Sequence, residues 1–232
     1  MKRVILKLSG EALFGDGGHG YDDELIMNIA DQIKTLIGKG MEICIVIGGG
    51  NYWRGRTSHR IDRCNSDQIG MLATVMNCIY VSEIFRSCGI DTAILTPFVY
   101  ANMTEMFTKD KTKQYLESGH VVFFAGGTGH PYFSTDTAIT LRAAEMEADA
   151  ILLAKNIDGV YDSDPAKNPD AVKYDSLSVS EMVEKQLGVI DMTASVMCME
   201  NSIPLRVFAL KEQDSILNAF GDEFSGTIVT VD

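Results

Sequence analysis

The stretch Ile43-Cys44-Ile45-Val46-Ile47-Gly48-Gly49-Gly50-Asn51 is an unbroken apolar run that ends abruptly in glycine. A half-exposed strand alternates apolar with polar residues. A run without alternation reads as a strand buried on both faces, as in a parallel sheet covered by helices. Two further runs end the same way: Val4–Leu8 at Ser9-Gly10-Glu11, and Val121–Phe124 ahead of Gly126-Gly127-Thr128-Gly129. Turns without side chains leave their N–H groups bare, and arrays of such groups at strand ends suit an anionic, phosphate-bearing molecule. The repetition points to a nucleotide or phosphorylated ligand approached by several backbones.

Strand-like runs recur at Arg3–Ser9, Glu42–Ile47, Thr92–Thr96, His120–Ala125, Ala150–Ala154, Leu205–Ala209 and Thr227–Val231. Between them lie helix-length segments with apolar residues at spacings of three and four. Asp22–Ile37 carries Leu25, Ile29, Ile33 and Leu36, with Gly38 and Gly40 marking its end. Met71–Arg86 carries Leu72, Val75, Met76, Ile79 and Ile84, and Thr135–Ala148 carries Ala138, Leu141, Ala144 and Met146. The alternation predicts an α/β fold with a mainly parallel central sheet, helices on both faces and a ligand beyond the carboxyl ends of the strands. One domain over residues 1–232 is expected. Within it, Asn156–Tyr174 reads as a small hairpin turning at Asp158-Gly159 and followed by a proline-containing loop, suited to covering a second ligand.

At 232 residues the chain can bury roughly 70% of the surface its unfolded form exposes. Its five cysteines are odd in number and lack CxxC spacing, so reduced, buried thiols in a cytoplasmic protein are expected. No apolar run approaches the ~18–20 residues of a membrane span, and the N-terminus opens a strand rather than a signal peptide; a soluble chain without a membrane partner is expected. The net charge of −12 argues against a nucleic-acid partner, whose affinity comes from a basic surface. A phosphate site needs only a few cations placed locally.

A literal GxGxxG occurs at Gly15-Asp16-Gly17-Gly18-His19-Gly20. It does not leave a strand directly, and no acidic residue ends the second strand, so a dinucleotide turn is a poor fit and a flexible loop that still holds a ligand is the better one. No GxxxxGK[ST] is present. Lys7 lies inside the apolar strand Val4–Leu8, so it either snorkels to an edge or aims at an anion at the strand end. Arg54, four residues after Gly50, is placed to offer a bidentate fork to a phosphate. Arg56, Arg60 and Arg63 read as a solvated loop. Asp136 and Asp67 each have two readings: helix caps, or groups that fix Lys7 (or a metal-bound phosphate) and a ribose, respectively. The four histidines lack metal-ligand spacing, and no GxSxG elbow occurs.

Lys7-Leu8-Ser9-Gly10-Glu11, Ile47-Gly48-Gly49-Gly50-Asn51 with Arg54-Gly55, Asp67 leading into Gly70-Met71-Leu72-Ala73-Thr74-Val75-Met76-Asn77, Gly127 to Asp136, and Asp158-Gly159-Val160-Tyr161 running to Asp164-Pro165 together resemble the bacterial UMP kinases of the amino-acid kinase family. The likeness runs from Lys2 to the final strand. It implies that family's three-layer α/β/α sandwich, transfer of the ATP γ-phosphoryl group to UMP, and a homohexamer with the Asp67–Arg86 helix near a subunit contact. Carried over residue by residue, Lys7, Leu8, Ser9, Gly10, Gly50 and Arg54 would meet the ATP phosphates, and Asn156, Tyr161 and Asp164, with Lys155, the adenine side. UMP would lie against Gly49 and Asp67 and along Thr128, Gly129, His130, Pro131, Tyr132, Phe133, Ser134 and Thr135. The resemblance links Gly15–Gly20 to activation by GTP, with UTP a second candidate effector. Lys155 stands where one branch of the family has threonine. In the mechanism so implied, Lys7, Arg54, glycine N–H groups and Mg2+ arriving with ATP stabilise the transferring charge. Asp136 organises Lys7 or the metal, Asp191 supports, and no resident metal site is expected. Two alternatives remain: a small-carboxylate kinase of the same fold, and a nucleotide-binding regulator without turnover.

Overall fold

The computed structural model describes residues 1–14, 20–54, 60–221 and 224–231. The strands are β1 (Arg3–Leu8), β2 (Glu42–Ile47), β3 (Thr92–Thr96), β4 (Glu105–Met106), β5 (Val121–Phe124), β6 (Ala150–Lys155), β7 (Val160–Tyr161), β8 (Lys173–Tyr174), β9 (Ser176–Ser178), β10 (Leu205–Ala209) and β11 (Thr227–Thr230). The helices are α1 (Asp23–Gly38), α2 (Arg63–Ser87), α3 (Lys109–Glu117), α4 (Thr135–Met146), α5 (Val179–Glu184), α6 (Met192–Glu200) and α7 (Ser215–Asn218). Among the described residues, nine strands form one sheet in the order β4-β3-β5-β2-β1-β6-β10-β11-β9. Neighbours run parallel except β10 and β11, which pair antiparallel.

Side chains two apart on a strand share a face, and this splits the core into two layers. Val4, Leu6 and Leu8 of β1 and Ile43, Ile45 and Ile47 of β2 join the layer packed by α1 and α2. Ile5, Cys44, Val46 and Leu153 join the layer packed by α4 and α6. Lys7 has the parity of Ile5, so it rises on the α4 side of a strand near the middle of the sheet.

The expected strands and the α/β class are present, and three readings of the sequence need correction. First, α2 begins at Arg63, not Met71, because the Asp62 carboxylate accepts from Cys64 N at 2.9 Å and Asn65 N at 3.2 Å. Its first turns carry Asn65, Ser66, Asp67 and Gln68, so no apolar period announces them; Asp67 lies inside the helix and does not cap it. Second, α4 is capped by Ser134, whose hydroxyl accepts from Asp136 N and Thr137 N. The Asp136 carboxylate is therefore not the cap. Third, Asp158-Gly159 is not a hairpin turn. Val160 N donates to Thr227 Oγ1 at 2.8 Å, drawing the chain toward β11, and β7 pairs instead with β8 across residues 162–172.

Among the described residues one helix, α2, is by length and composition long and apolar enough to cross a membrane, a test that a core helix also passes, and half of that window is buried in this fold. Its buried face packs on the sheet through Val75, Cys78, Val81 and Phe85.

All five cysteines are unpaired. Burial pushes the Cys198 thiol up to about 11 and Cys78 to about 12, and drives Cys44 higher still. A thiol held that far above neutral pH is a poor nucleophile. Native protein treated with a disulfide reagent near pH 8 is expected to lose the half-buried Cys64 and Cys88 thiols first. Cys44, Cys78 and Cys198 should react only as denaturant unfolds the chain, and rapid titration of all five would contradict the packing.

Candidate active site

At the carboxyl ends of β1, β2 and β5 the chain encloses a cavity of about 550 Å³. Lys7 enters it from β1, paired with the Asp136 carboxylate in the first turn of α4; the two side chains are 17% and 21% exposed. A charge in an otherwise apolar strand stays charged when a partner and a ligand-facing opening compensate its lost hydration. Lys7 and Ser9 also line a second cavity of about 360 Å³, with Ala154, Asn156 and Ile157. Lys155 and Ile157 in turn line a third, of about 360 Å³, which includes Tyr161 and Asp164. The three form a row of spaces along the strand ends.

The glycine turns close on one another tightly. A Cβ on Gly10 would stand 2.3 Å from Gly48 O and 2.4 Å from Asn51 Oδ1, and one on Gly49 would stand 2.7 Å from Gly70 O. Only glycine permits these approaches. Helix α2 holds the turns in place. The Asn77 amide, fully buried, donates to Gly48 O at 2.7 Å and to Asn51 Oδ1 at 2.8 Å, and its Oδ1 accepts from Tyr21 Oη at 2.7 Å and Asn51 Nδ2 at 3.0 Å. One turn back, Thr74 Oγ1 accepts from Gly126 N at 2.8 Å while donating to Met71 O at 2.6 Å. Thr74 and Asn77, three apart on one helix face, thus fix the turns after β2 and β5 to a common support.

At the mouth, Asp67 Oδ2 accepts from Arg63 Nε and from Tyr132 N, both at 2.8 Å, and the Arg63 guanidinium lies 5.4 Å from the centre of the Tyr132 ring. Arg54 pairs with Glu11 beside Gly50 and is 62% exposed. Asp191 caps α6 by accepting from Ala194 N at 2.9 Å; it also accepts from the Ser134 and Thr137 hydroxyls. It thereby ties the start of α4, and so Asp136, to α6. Lys155 Nζ donates to Val189 O at 2.5 Å. Burial first, and the Lys7 ammonium second, lower its pKa, with Asp136 opposing.

Of the residues singled out from sequence, Lys7, Ser9, Gly10, Gly49, Gly50, Arg54, Asp67, Thr128, His130, Phe133, Ser134 and Thr135 line the first cavity. Asn156 lines the second, and Tyr161 and Asp164 the third. Leu8 does not join them, because its side chain packs in the α1–α2 layer. Gly129, Pro131 and Tyr132 stand off the wall, Tyr132 reaching the site through its N–H. Asp136 does not line the first cavity but is ion-paired with Lys7, which does, and Asp191 contacts Ser134, Thr137 and Ala194 behind it. Gly15, Asp16, Gly17, Gly18 and His19, and likewise Arg56, lie outside the described residues; Gly20 adopts φ +87°. Arg63, read as solvated loop, is the first residue of α2 and lines the cavity. Glu11, Trp53, Thr74 and Asn77 were missed as site residues, while Lys155, named with the adenine side, lines the second and third cavities. For Thr74 and Asn77 the available signal was two buried polar residues on a helix scanned for apolar period.

Among the described residues no group of three or more His, Cys, Asp or Glu side chains could hold a metal ion. The carboxylates at the site, Glu11, Asp67 and Asp136, are each engaged by a cation, Arg54, Arg63 and Lys7 in turn. This donor set does not form a chelate of its own. It fits a Mg2+ that comes bound to phosphates and takes at most one or two protein oxygens.

A model of the Amino acid kinase family matches residues 2–209. The UMP kinase of Bacillus anthracis superposes with a TM-score of 0.94 at 33% identity, covering 100% of this chain and 96% of that one. The UMP kinase of Ureaplasma parvum gives 0.93 at 34% identity over 99% and 98%. The uridylate kinase of Archaeoglobus fulgidus gives 0.76 at 25% identity over 99% and 100%.

The α2 clamp yields a direct expectation. Asn77→Ala strands the Gly48 carbonyl and the Asn51 amide without their buried partners, and should cost about 1–3 kcal/mol of unfolding free energy. Urea denaturation measures it, and an unchanged midpoint would contradict the clamp.

Proposed function

The chain belongs to the amino acid kinase family, and from that premise we propose that it transfers the γ-phosphoryl group of ATP to UMP, forming UDP and ADP. The observation that carries this is the position of Lys7, whose ammonium is shared by a larger acceptor-side cavity and a smaller donor-side one. The 33–34% identity to two UMP kinases over nearly the whole chain supports the acceptor. So does Asp67, held at the cavity mouth where a ribose with its two hydroxyls needs an acceptor. A small-carboxylate substrate has no use for that carboxylate.

In this reading UMP occupies the first cavity, with its phosphate toward Gly49 and Lys7 and its nucleoside toward Asp67 and the segment from Thr128 to Thr135. ATP enters from the other side, with its phosphates at Ser9, Gly10, Gly50 and Arg54 and its adenine near Asn156, Tyr161 and Asp164. The UMP phosphate, largely dianionic at neutral pH, is its own nucleophile. One of its oxygens bonds to the γ-phosphorus as the bond to the β,γ-bridging oxygen breaks, and that electron pair stays on ADP. The transition state spreads negative charge over the equatorial oxygens, so fixed cations and N–H groups lower the barrier. Lys7 supplies a point charge there, and Asp136 keeps its ammonium oriented toward the opening. Ser134 and Asp191 hold the α4 end that carries Asp136. When bound with ATP, Mg2+ would supply neutralisation of charge on the phosphate oxygens.

The same reading carries a cytoplasmic setting and a homohexamer, with GTP and UTP as effectors. For the oligomer the support is the exposed stripe Ile69, Leu72 and Met76 on α2, an apolar face that a second subunit would cover.

An ADP-release assay with Mg-ATP and a panel of UMP, CMP, dUMP, acetylglutamate and aspartate tests the proposal. Turnover confined to UMP is expected. Turnover with a carboxylate would overturn the acceptor, and none with any would favour a regulator. Lys7→Ala should lower kcat by roughly a hundredfold or more. Asp67→Ala should instead raise the KM for UMP while leaving that for ATP near its starting value; a near-normal Lys7→Ala enzyme would refute the assigned role.

A further inference from the structure

Lys155 has no part in the mechanism above, yet its surroundings are those of an anion site. It ends β6, one residue past the Leu8–Ala154 pair that joins β6 to β1, and has the strand parity of Leu153, on the α4–α6 side. Lys155 lines both the second and the third cavity, while Lys7 lines the first and the second. The second cavity is therefore walled by two lysines, and no carboxylate is among its lining residues. Among the described residues, the carboxylate that acts on Lys155 electrostatically is Asp136, already ion-paired with Lys7. The hydrogen bond to Val189 O fixes the ammonium but brings no negative charge. Two part-buried cations that share one anion leave an excess positive charge, and burial together with Lys7 already disfavours the charged form of Lys155. A polyanion threaded between them removes that penalty.

We propose that Lys155 grips the phosphate chain of the donor nucleotide on the ADP side of the transferred group, as a second cation of the catalytic site. The inference rests on the reading of this site as a nucleotide kinase. As the bond from the γ-phosphorus to the bridging oxygen breaks, the electron pair moves onto the β-phosphate of ADP, and the Lys155 ammonium meets the charge developing there. Lys7 serves the group in flight and Lys155 the group that leaves. The bland alternative is a structural clamp in which the lysine only holds the Val189 loop.

Lys155→Gln separates the two, because glutamine retains an N–H donor for Val189 O and lacks the charge. Calorimetry on the full chain with ADP and with adenosine is the primary measurement. The variant is expected to bind ADP about tenfold or more weakly, the scale of a charge-assisted hydrogen bond, and adenosine within about twofold of the unmodified chain. In turnover, the KM for ATP should rise and kcat should fall, with the KM for UMP unmoved. Equal weakening of ADP and adenosine, or unchanged ADP binding, overturns the proposal. Should the variant fail to fold, the 13C resonance of the Lys155 ε-carbon in the unmodified chain serves instead. It should move with ADP and with pyrophosphate but not with adenosine, and its indifference to both phosphates overturns the proposal. Failure of the acceptor assignment stays distinguishable: ADP binding that depends on Lys155, without turnover of UMP, sinks the acceptor and leaves Lys155 in place. Loss of ADP binding by the unmodified chain overturns both.

Discussion

The pairing of Lys7 with Asp136 ties the chemistry of this chain to its architecture. A lysine on a strand flanked by parallel neighbours is lifted largely out of water, and a counter-ion and a polar opening offset the hydration it loses. The counter-ion must come from the layer on the α4 side, because strand parity sends Lys7 there with Ile5. Helix α4 meets that need by starting at Thr135 under the Ser134 cap, which leaves the carboxylate of Asp136 free to reach Lys7 in the first turn. Asp191 then links the cap to α6, so three elements converge on one ammonium group.

Helix α2 imposes the second constraint. Its buried polar face, Thr74 and Asn77, is spent on the backbone of two glycine turns rather than on apolar packing. A glycine turn on its own is flexible, and an N–H array stabilises a developing charge only if its geometry is set beforehand. The Asn77 amide, locked by Gly48, Asn51 and Tyr21, gives the β2 turn that rigidity. Its Tyr21 partner stacks on Tyr80, with ring centres 3.9 Å apart, so the support extends from the start of α1 into α2.

Much of the fold could be read directly from the sequence because a two-sided buried strand has no polar alternation and strand-end glycines are conspicuous. Lys7 stood out for the same reason, as the one charge in such a run. What could not be read was anything set by which partner wins a short-range competition. Asp62 and Ser134 took the caps that Asp67 and Asp136 also fitted, so both carboxylates turned out to be available for other contacts. The first turns of α2 are polar and left no period to detect. Lys155 acquires meaning only when β6 settles against β1 and brings a second lysine beside the first, a fact of strand order that spacing along the chain does not contain. Asp158-Gly159 carried a hairpin signal, yet the Thr227 hydroxyl outbid it.

Soaking or co-crystallising the protein with UMP and a non-hydrolysable ATP analogue tests the central claim most directly. The two phosphate termini are expected to face each other across the Lys7 ammonium, the UMP phosphate on the Gly49 side and the γ-phosphate analogue on the Ser9–Gly10 side, both within hydrogen-bonding distance of Nζ. Nucleotides bound with neither phosphate touching Lys7, or with UMP outside the cavity bounded by Asp67 and Thr128, would contradict it.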